Sequence, residues 1–298
     1  MSRWLGLDLG GTNIKSVVLE GDDLEVVHRS TSATDAADGP AAVIDRLVDA
    51  SRRAIDDRGV VDGVGVGVPG LFDAEAGTIE LFPNLPGPWR GQPLVERLRD
   101  GLGRPVSIIN DARAFTLAEA RIGAAAGAST VACLVLGTGI GGGIVVDGAL
   151  HFGRHGRAGE LAHQVVVPDG PPCGCGNRGC LEAVATSGAL ATRAGQPTAE
   201  AAFTAAARGD ERAAAAIAEV AEHIGLAIAN IVTVLVPERV VIGGGVAGAG
   251  TDLLGPIRAA TARHCTLVPA EWYEIVPAAL GPFAGAIGAA IWAADRAA

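Results

Sequence analysis

An α/β protein built from two related halves is what this sequence predicts, and three observations carry the prediction. Apolar strands repeatedly end on glycine: Trp4 to Leu7 before Gly10-Gly11, Val131 to Leu136 before Gly137, and Arg239 to Ile242 before Gly243-Gly244-Gly245. Long stretches between them carry apolar residues at helical spacing. The order strand, glycine turn, strand opens the chain and returns roughly 130 residues later, a weak internal repeat that predicts two related domains facing each other.

Taken in order, the first strand at Trp4–Leu7 turns at Gly10-Gly11 and continues as the β-branched strand Ile14–Leu19. Residues 41–58 place Val43, Ile44, Leu47, Val48 and Ile55 on one helical face. Val60–Val68 reads as a strand with alternating glycines that ends at Pro69-Gly70, and residues 83–93 read as a proline- and glycine-rich loop. Val106–Ile109 is a strand, and Asn110-Asp111 opens a helix from Ala112 to Gly123. Val131–Leu136 is a strand, residues 137–143 a glycine turn, and Ile144–Val146 a strand again. Residues 183–236 read as mostly helical. Then come the strand Arg239–Ile242, the turn Gly243–Gly245, a helix Asp252–Cys265 and a last helix Pro282–Ala297.

Composition narrows the class. The 298 residues are 49% hydrophobic, enough for a sizeable core, with 43 glycines and few aromatics. A formal net charge of −10 disfavours nonspecific nucleic-acid binding and anionic membranes. Small anionic ligands stay open, since local backbone donors can bind them. The apolar run Ile224–Val236 contains Asn230 and stops at Pro237, which reads as too short to span a bilayer. The first residues run straight into a strand with no signal-peptide pattern, so the expected setting is reducing and cytoplasmic.

Chemistry concentrates in a few places. Cys173, Cys175 and Cys180 crowd into eight positions, and His163 lies ten residues upstream. Thiolate and imidazole are tetrahedral zinc ligands, and a closed set of four leaves no open position, so the cluster reads as structural metal. Cys133 and Cys265 sit in apolar contexts and read as core. Three glycine clusters after strands suit a shared polyphosphate, because glycine lets backbone N–H groups approach an anion; any one alone reads more simply as a hairpin turn. Residues 137–142 match the dinucleotide spacing G-x-G-x-x-G but lead into a strand, whereas residues 243–248 match it with a helix following. Asp8 ends the first strand beside the first turn, where a carboxylate suits a water-bridged magnesium ion or an ordinary turn contact. Asn110 and Asp111, between strand and helix, suit a helix cap and also a proton acceptor at the carboxyl end of a sheet strand.

Together these residues resemble the ROK family of sugar kinases, within the actin-like ATPase (ribonuclease H-like) fold. The resemblance runs through Asp8-Leu9-Gly10-Gly11-Thr12-Asn13 with Lys15, Pro83-Asn84-Leu85-Pro86, Asn110-Asp111, Leu136 to Gly143, Gly159-Glu160-Leu161-Ala162-His163, the cysteine cluster with Glu182, and Gly243–Gly245. It implies a two-domain α/β fold with the active site in the interdomain cleft: residues 1–112 with 283–298 as the smaller domain, and 113–282 as the larger, zinc-bearing one. It implies ATP, magnesium and a structural zinc held by His163, Cys173, Cys175 and Cys180. Asp8, Gly10, Gly11, Thr12, Asn13 and Lys15, with Gly137, Thr138 and Gly139, become the phosphate side, and Gly243, Gly244 and Gly245 the adenosine side. Asp111 becomes the general base, and Asn84, Asn110, Asp111, Glu160, His163 and Glu182 the sugar contacts. Many relatives carry glycine where this chain has Ala162.

The activity implied is an ATP-dependent hexose kinase acting on a 6-hydroxyl, glucose first because it is the family's commonest substrate. Fructose, mannose, N-acetylmannosamine and N-acetylglucosamine are the alternative acceptors and polyphosphate the alternative donor. A homodimer or homotetramer is implied in the same way. A sugar-sensing transcription regulator of the same family would need an N-terminal helix-turn-helix, for which a strand beginning at Trp4 leaves no room. A dinucleotide oxidoreductase would leave the cysteine cluster and the two earlier glycine turns unexplained.

Overall fold

The computed structural model describes residues 1–83, 85–245 and 251–297. In chain order the first stretch holds β1 (Arg3–Leu9), β2 (Asn13–Glu20), β3 (Glu25–Ala33), α1 (Pro40–Arg58), β4 (Gly63–Val68), β5 (Leu71–Asp73), β6 (Thr78–Leu81), α2 (Leu94–Leu102), β7 (Val106–Asn110) and α3 (Asp111–Ile122). The next holds β8 (Val131–Leu136), β9 (Ile140–Val146), β10 (Ala149–Leu150), α4 (Leu181–Ala185), α5 (Ser187–Ala194), α6 (Ala199–Ala207), α7 (Glu211–Leu235), β11 (Arg239–Gly243), α8 (Thr251–His264) and β12 (Glu274–Pro277). Helix α9 (Ala284–Ala297) closes the chain. Contacts divide these elements into two compact units, Met1–Ile122 with Leu280–Ala298, and Gly123–Ala279.

In the first unit the sheet order is β3-β2-β1-β4-β7. β1 and β2 form an antiparallel hairpin, while β4 and β7 run parallel to β1, so the carboxyl ends of β1, β4 and β7 lie along one edge. Helix α9 lies on β1 and β4 and also packs on α3. That packing explains the glycine in the middle of β4: a Cβ on Gly65 would sit 1.7 Å from the Ala289 carbonyl oxygen of α9, while one on Gly63 would sit 2.9 Å from the Trp4 ring. It also places α3 in the first unit. On the other face, Leu5, Leu7, Val43, Ile44 and Leu47 are fully buried, each burial contributing about 1.5–3 kcal/mol.

The second unit repeats the plan, with sheet order β10-β9-β8-β11-β12. β8 and β9 form the antiparallel hairpin, and β11 and β12 run parallel to β8. The repeat seen in the sequence is thus a repeat of topology strand for strand. Its core is α7, against which α4, α5, α6 and α8 pack. At 25 residues α7 is longer than the apolar run suggested, because alanines extend it N-terminally; it is long and apolar enough to cross a membrane, but 61% of its most apolar stretch is buried within the protein.

Several elements differ from the expected ones. The strand placed at Val60–Val68 begins at Gly63, with Val60 exposed before it. The glycine turn placed over 137–143 occupies only 137–139, and Ile140 already pairs with Leu136. β3, β5, β6, α2, β10 and β12 had no clear signal: β3 is a partly exposed edge strand, and α2 spans only nine residues.

Candidate functional site

Two groups of side chains matter, one in each unit. In the first, the hairpin between β1 and β2 is closed by Gly10 N–H donating to the Asn13 carbonyl at 3.0 Å. Gly11, Thr12 and Asn13 are exposed at its tip. Thr34, fully buried just after β3, clamps this turn twice: its hydroxyl donates to the Gly10 carbonyl at 2.7 Å and its N–H to the Thr12 carbonyl at 2.9 Å. No local pattern points to Thr34, which lies in a polar run with no motif.

Asp8 faces Lys15 across the hairpin register. Burial raises its carboxyl pKa, and Lys15 partly counters that. The first turn of α9 sits against it: a Cβ on Gly285 would lie 2.9 Å from Asp8 Oδ2. Gly285 is a second contributor that composition and spacing did not reveal.

At the end of β7, Asn110 is the cap of α3. Its Oδ1 accepts from the N–H groups of Ala112 at 3.1 Å and Arg113 at 3.2 Å, satisfying two donors that the helix itself cannot. Asp111 is the first helical residue, and its Oδ1 accepts from Ala112 N–H at 2.7 Å. The capping reading therefore belongs to Asn110, and Asp111 stands half-exposed at the positive end of α3. Asp8 shares a register level with Ile109, with β4 between, so these two residues sit about 10 Å apart by strand spacing and Asp111 follows two residues beyond that level. Asn84 lies outside the described residues.

In the second unit the turn between β8 and β9 is closed by Gly137 N–H donating to the Gly139 carbonyl at 3.0 Å. The Gly137 carbonyl accepts from Ser187 N–H at 2.9 Å, at the start of α5. Thr138 is exposed at the tip. Because a strand follows, the dinucleotide spacing over 137–142 has no helix to open, and those glycines serve another purpose. A Cβ on Gly142 would meet Leu161 Cβ at 3.0 Å, so small residues in β9 let the 159–163 segment pack close. At the end of β11, Gly244 takes φ +92°, and Gly244 and Gly245 are exposed. The later dinucleotide match runs to Gly248, outside the described residues.

Glu160 is exposed and leads into the turn Leu161–His163, whose Ala162 is buried in the core of the unit. The ligand atoms of His163, Cys173, Cys175 and Cys180 all lie within 4.8 Å of one another. His163 Nδ1 is 3.6 Å from Cys173 Sγ, and Cys175 Sγ is 3.7 Å from Cys180 Sγ. Tetrahedral zinc with bonds of about 2.0–2.3 Å requires ligand separations of about 3.6–3.8 Å, so the residues fit the ion. A disulfide, with sulfurs about 2.05 Å apart, is not formed. Burial raises the Cys180 thiol to about 12 and also raises Cys173, while a backbone hydrogen bond at Asn177 lowers Cys175. Thiols held this close resist joint ionisation unless a cation offsets the charge.

Backbone contacts set that knuckle. Cys173 N–H donates to the Asn177 carbonyl at 2.8 Å, Gly176 N–H returns to the Cys173 carbonyl at 3.0 Å, and Cys180 bridges to Val165. α4 begins directly after Cys180. Glu182, on its first turn, reaches both ways: Oε2 accepts from Ile140 N–H at 3.2 Å, and Oε1 lies 3.9 Å from Cys173 Sγ. The structure brings Glu182, His163 and the three cysteines together with the second glycine turn.

Comparison with known proteins extends this picture over the whole chain. Residues 4–296 match the ROK family. A glucokinase of Thermotoga maritima is 37% identical, covering 97% of this chain and 96% of its own length. The ROK hexokinase of Thermus thermophilus superimposes with a TM-score of 0.89 at 35% identity, over 99% of both chains. A ROK family glucokinase from Streptomyces griseus, solved in complex with glucose and AMPPNP, gives a TM-score of 0.84 at 32% identity, over 99% of this chain and 100% of its own.

Proposed function

The chain belongs to the ROK family, as one of its hexose kinases, and on that premise we propose that it is a glucokinase, moving the γ-phosphate of ATP to the 6-hydroxyl of glucose. What carries the proposal is the likeness, along nearly the full chain, to a relative solved with glucose and AMPPNP, in a protein whose glycine turns and acids stand at strand ends.

Each residue then has a part. Asp111 takes the proton of the attacking hydroxyl; it stands at the end of β7, beside Asn110, whose side chain caps α3. Asn110 Nδ2, Glu160, the Nε2 atom of His163, Glu182 and Asn84 bind sugar hydroxyls. Matched polar groups of this kind reject analogues lacking a hydroxyl far better than an apolar pocket does. The turns at Gly10, Gly11, Thr12 and Asn13 and at Gly137, Thr138 and Gly139, with Lys15, offer donors to the triphosphate, and Gly243–Gly245 serve the adenosine side. Asp8 is the carboxylate suited to hold, through water, an ATP-bound magnesium ion, which would supply neutralising charge to the phosphoryl oxygens. His163, Cys173, Cys175 and Cys180 would hold zinc, whose closed ligand set supplies rigidity to the sugar-binding segment. With His163 Nδ1 on the thiol side, Nε2 is left to meet the sugar with a fixed tautomer. A cytoplasmic homodimer or homotetramer completes the reading, on the family's example.

A coupled assay tests it: glucose, fructose, mannose, N-acetylglucosamine and N-acetylmannosamine, each with ATP and with polyphosphate, on zinc-loaded protein. The expected result is highest kcat/KM for glucose with ATP. No turnover on any of these sugars overturns the kinase reading, and a higher value for another sugar or for polyphosphate reassigns that substrate.

A further inference from the structure

We propose that Glu182 is a positioning residue that makes the Gly137–Gly139 turn depend on the metal-holding cluster. The inference rests on the reading above in one respect, that this turn holds phosphate.

Four observations converge. Glu182 Oε2 accepts from Ile140 N–H at 3.2 Å, at the first residue after the turn. The same oxygen would lie 3.2 Å from a Cβ on Gly139, so a side chain there would push the carboxylate back by a few tenths of an ångström. The other carboxylate oxygen lies 3.9 Å from Cys173 Sγ. And Ser187, five residues after Glu182, donates its N–H to the Gly137 carbonyl at 2.9 Å.

Both ends of the turn are therefore held by one short segment, the seven residues after Cys180. That segment has little internal freedom. Cys180 is its anchor, α4 occupies 181–185, and Thr186 caps α5 by accepting from Ala189 N–H at 3.2 Å. Leu181 and Val184 are buried in the core of the unit, which fixes the rotation of α4 and so the direction of Glu182. With the cluster loaded, Cys180 and Cys173 are fixed from one point, and α4 presents Glu182 to Ile140 in one orientation. With the cluster empty, two buried thiols and a carboxylate share the space without a cation, and the carboxylate loses its fixed neighbour on the Oε1 side. Metal thus sets the geometry of a turn that contains none of its ligands.

The test reads the turn itself, without turnover. Amide hydrogen exchange resolved to Ile140 is measured on full-length zinc-loaded protein, Glu182→Ala, Glu182→Gln, zinc-stripped wild type and Cys175→Ser, with the α7 amides as reference. AMPPNP affinity is measured alongside by calorimetry, without sugar. Losing a hydrogen bond to a charged acceptor is expected to speed Ile140 exchange about ten- to hundredfold in Glu182→Ala at unchanged zinc content and unchanged α7 exchange. Glu182→Gln, which keeps an acceptor of the same shape, is expected within about threefold of wild type. The stripped protein and Cys175→Ser are expected to follow Glu182→Ala at Ile140. Unchanged Ile140 protection in Glu182→Ala overturns the proposal. So does acceleration in that variant with none in Cys175→Ser, because the metal link is then absent. If stripping opens α7 as well, Cys175→Ser decides. AMPPNP affinity separates the two readings: faster Ile140 exchange with unchanged affinity leaves the strut standing and removes phosphate binding from this turn.

Discussion

Replacing Gly285 with alanine tests the placement of Asp8 through a residue that belongs to no motif. Gly285 lies in the first turn of α9, and a methyl there would sit 2.9 Å from Asp8 Cγ and Oδ2 and 3.2 Å from Oδ1. That is roughly 0.6 Å short of ordinary contact at about 3.5 Å, so something must move. α9 is held on β1 and β4 by backbone-close packing at Gly6 and Gly65, and the carboxylate is the softer of the two partners. For stability two terms oppose. Alanine in a helix gains about 1 kcal/mol over glycine, and overpacking costs about 1–3 kcal/mol, so the net change is a loss of about 0–2 kcal/mol. For activity nothing opposes. A displacement near 0.5 Å of a group that positions the triphosphate lowers kcat/KM about ten- to hundredfold, with a melting temperature only a few degrees changed. Steady-state kinetics with ATP varied at saturating glucose, beside a thermal melt, reads both. A Gly285→Ala enzyme with kcat/KM within twofold of wild type would refute the reasoning, because Asp8 would then tolerate displacement and could not be holding the donor.

Three further outcomes follow from the same geometry. Asp111→Asn is expected to lower kcat by about 10²–10⁴-fold with little change in melting temperature, since Asn110 caps α3; activity within tenfold of wild type rules Asp111 out as the base. Asp8→Asn is expected to raise the melting temperature at neutral pH while impairing turnover. Its folded-state pKa is raised by burial, so the carboxylate is a cost to folding that is full above that folded value and vanishes below the ordinary carboxylate value; melts run from acid to neutral pH should show the variant's advantage growing with pH, and an advantage that is constant or shrinks contradicts the account. Thr34→Val removes the hydroxyl that donates to the Gly10 carbonyl at 2.7 Å, at a cost of about 1–3 kcal/mol, and is expected to raise KM for ATP more than KM for the hexose; equal changes in both would show that the clamp does not act through the turn.

How much of this was legible depends on how local each signal is. β8 was readable residue for residue, because Val131–Leu136 is an uninterrupted apolar run bounded by turn residues. α1 announced itself by spacing, and Pro40 stands at its first position. The cysteine knuckle was readable because ligand types crowd together in sequence, and His163 is close enough along the chain to be noticed. β3 was not readable: Glu25–Ala33 is polar, half-exposed and held by pairing with β2, a tertiary cause without a periodic trace. Glycines misled in β9, where they permit close packing and do not make a turn. Thr34, Ser187 and Gly285 could not be found from sequence, because each acts on a residue distant along the chain and none is chemically unusual. Glu182 was readable as a polar group beside the cysteines, but its bond to Ile140 needed the fold.

The two halves solve one mechanical problem by different means. Each has a glycine turn after the first strand of its hairpin, closed on itself by a backbone bond and needing an external hold on the carbonyl of its first glycine. In the first unit that hold is Thr34, delivered by the end of a nine-residue β3. The strand in the same sheet position of the second unit is β10, only two residues long against the nine of β3. There the carbonyl of Gly137 is held instead by Ser187, and the far side of the turn by Glu182, both from the segment that follows Cys180. That segment is short, and the buried side chains of its helix α4 are Leu181, Val184 and Ala185. Metal ligation at Cys180 would supply the stiffness that a long paired strand supplies in the other half. On this argument the cysteine cluster belongs to the hairpin as much as to the segment around His163, and loss of its metal is expected to be felt first where β8 turns into β9.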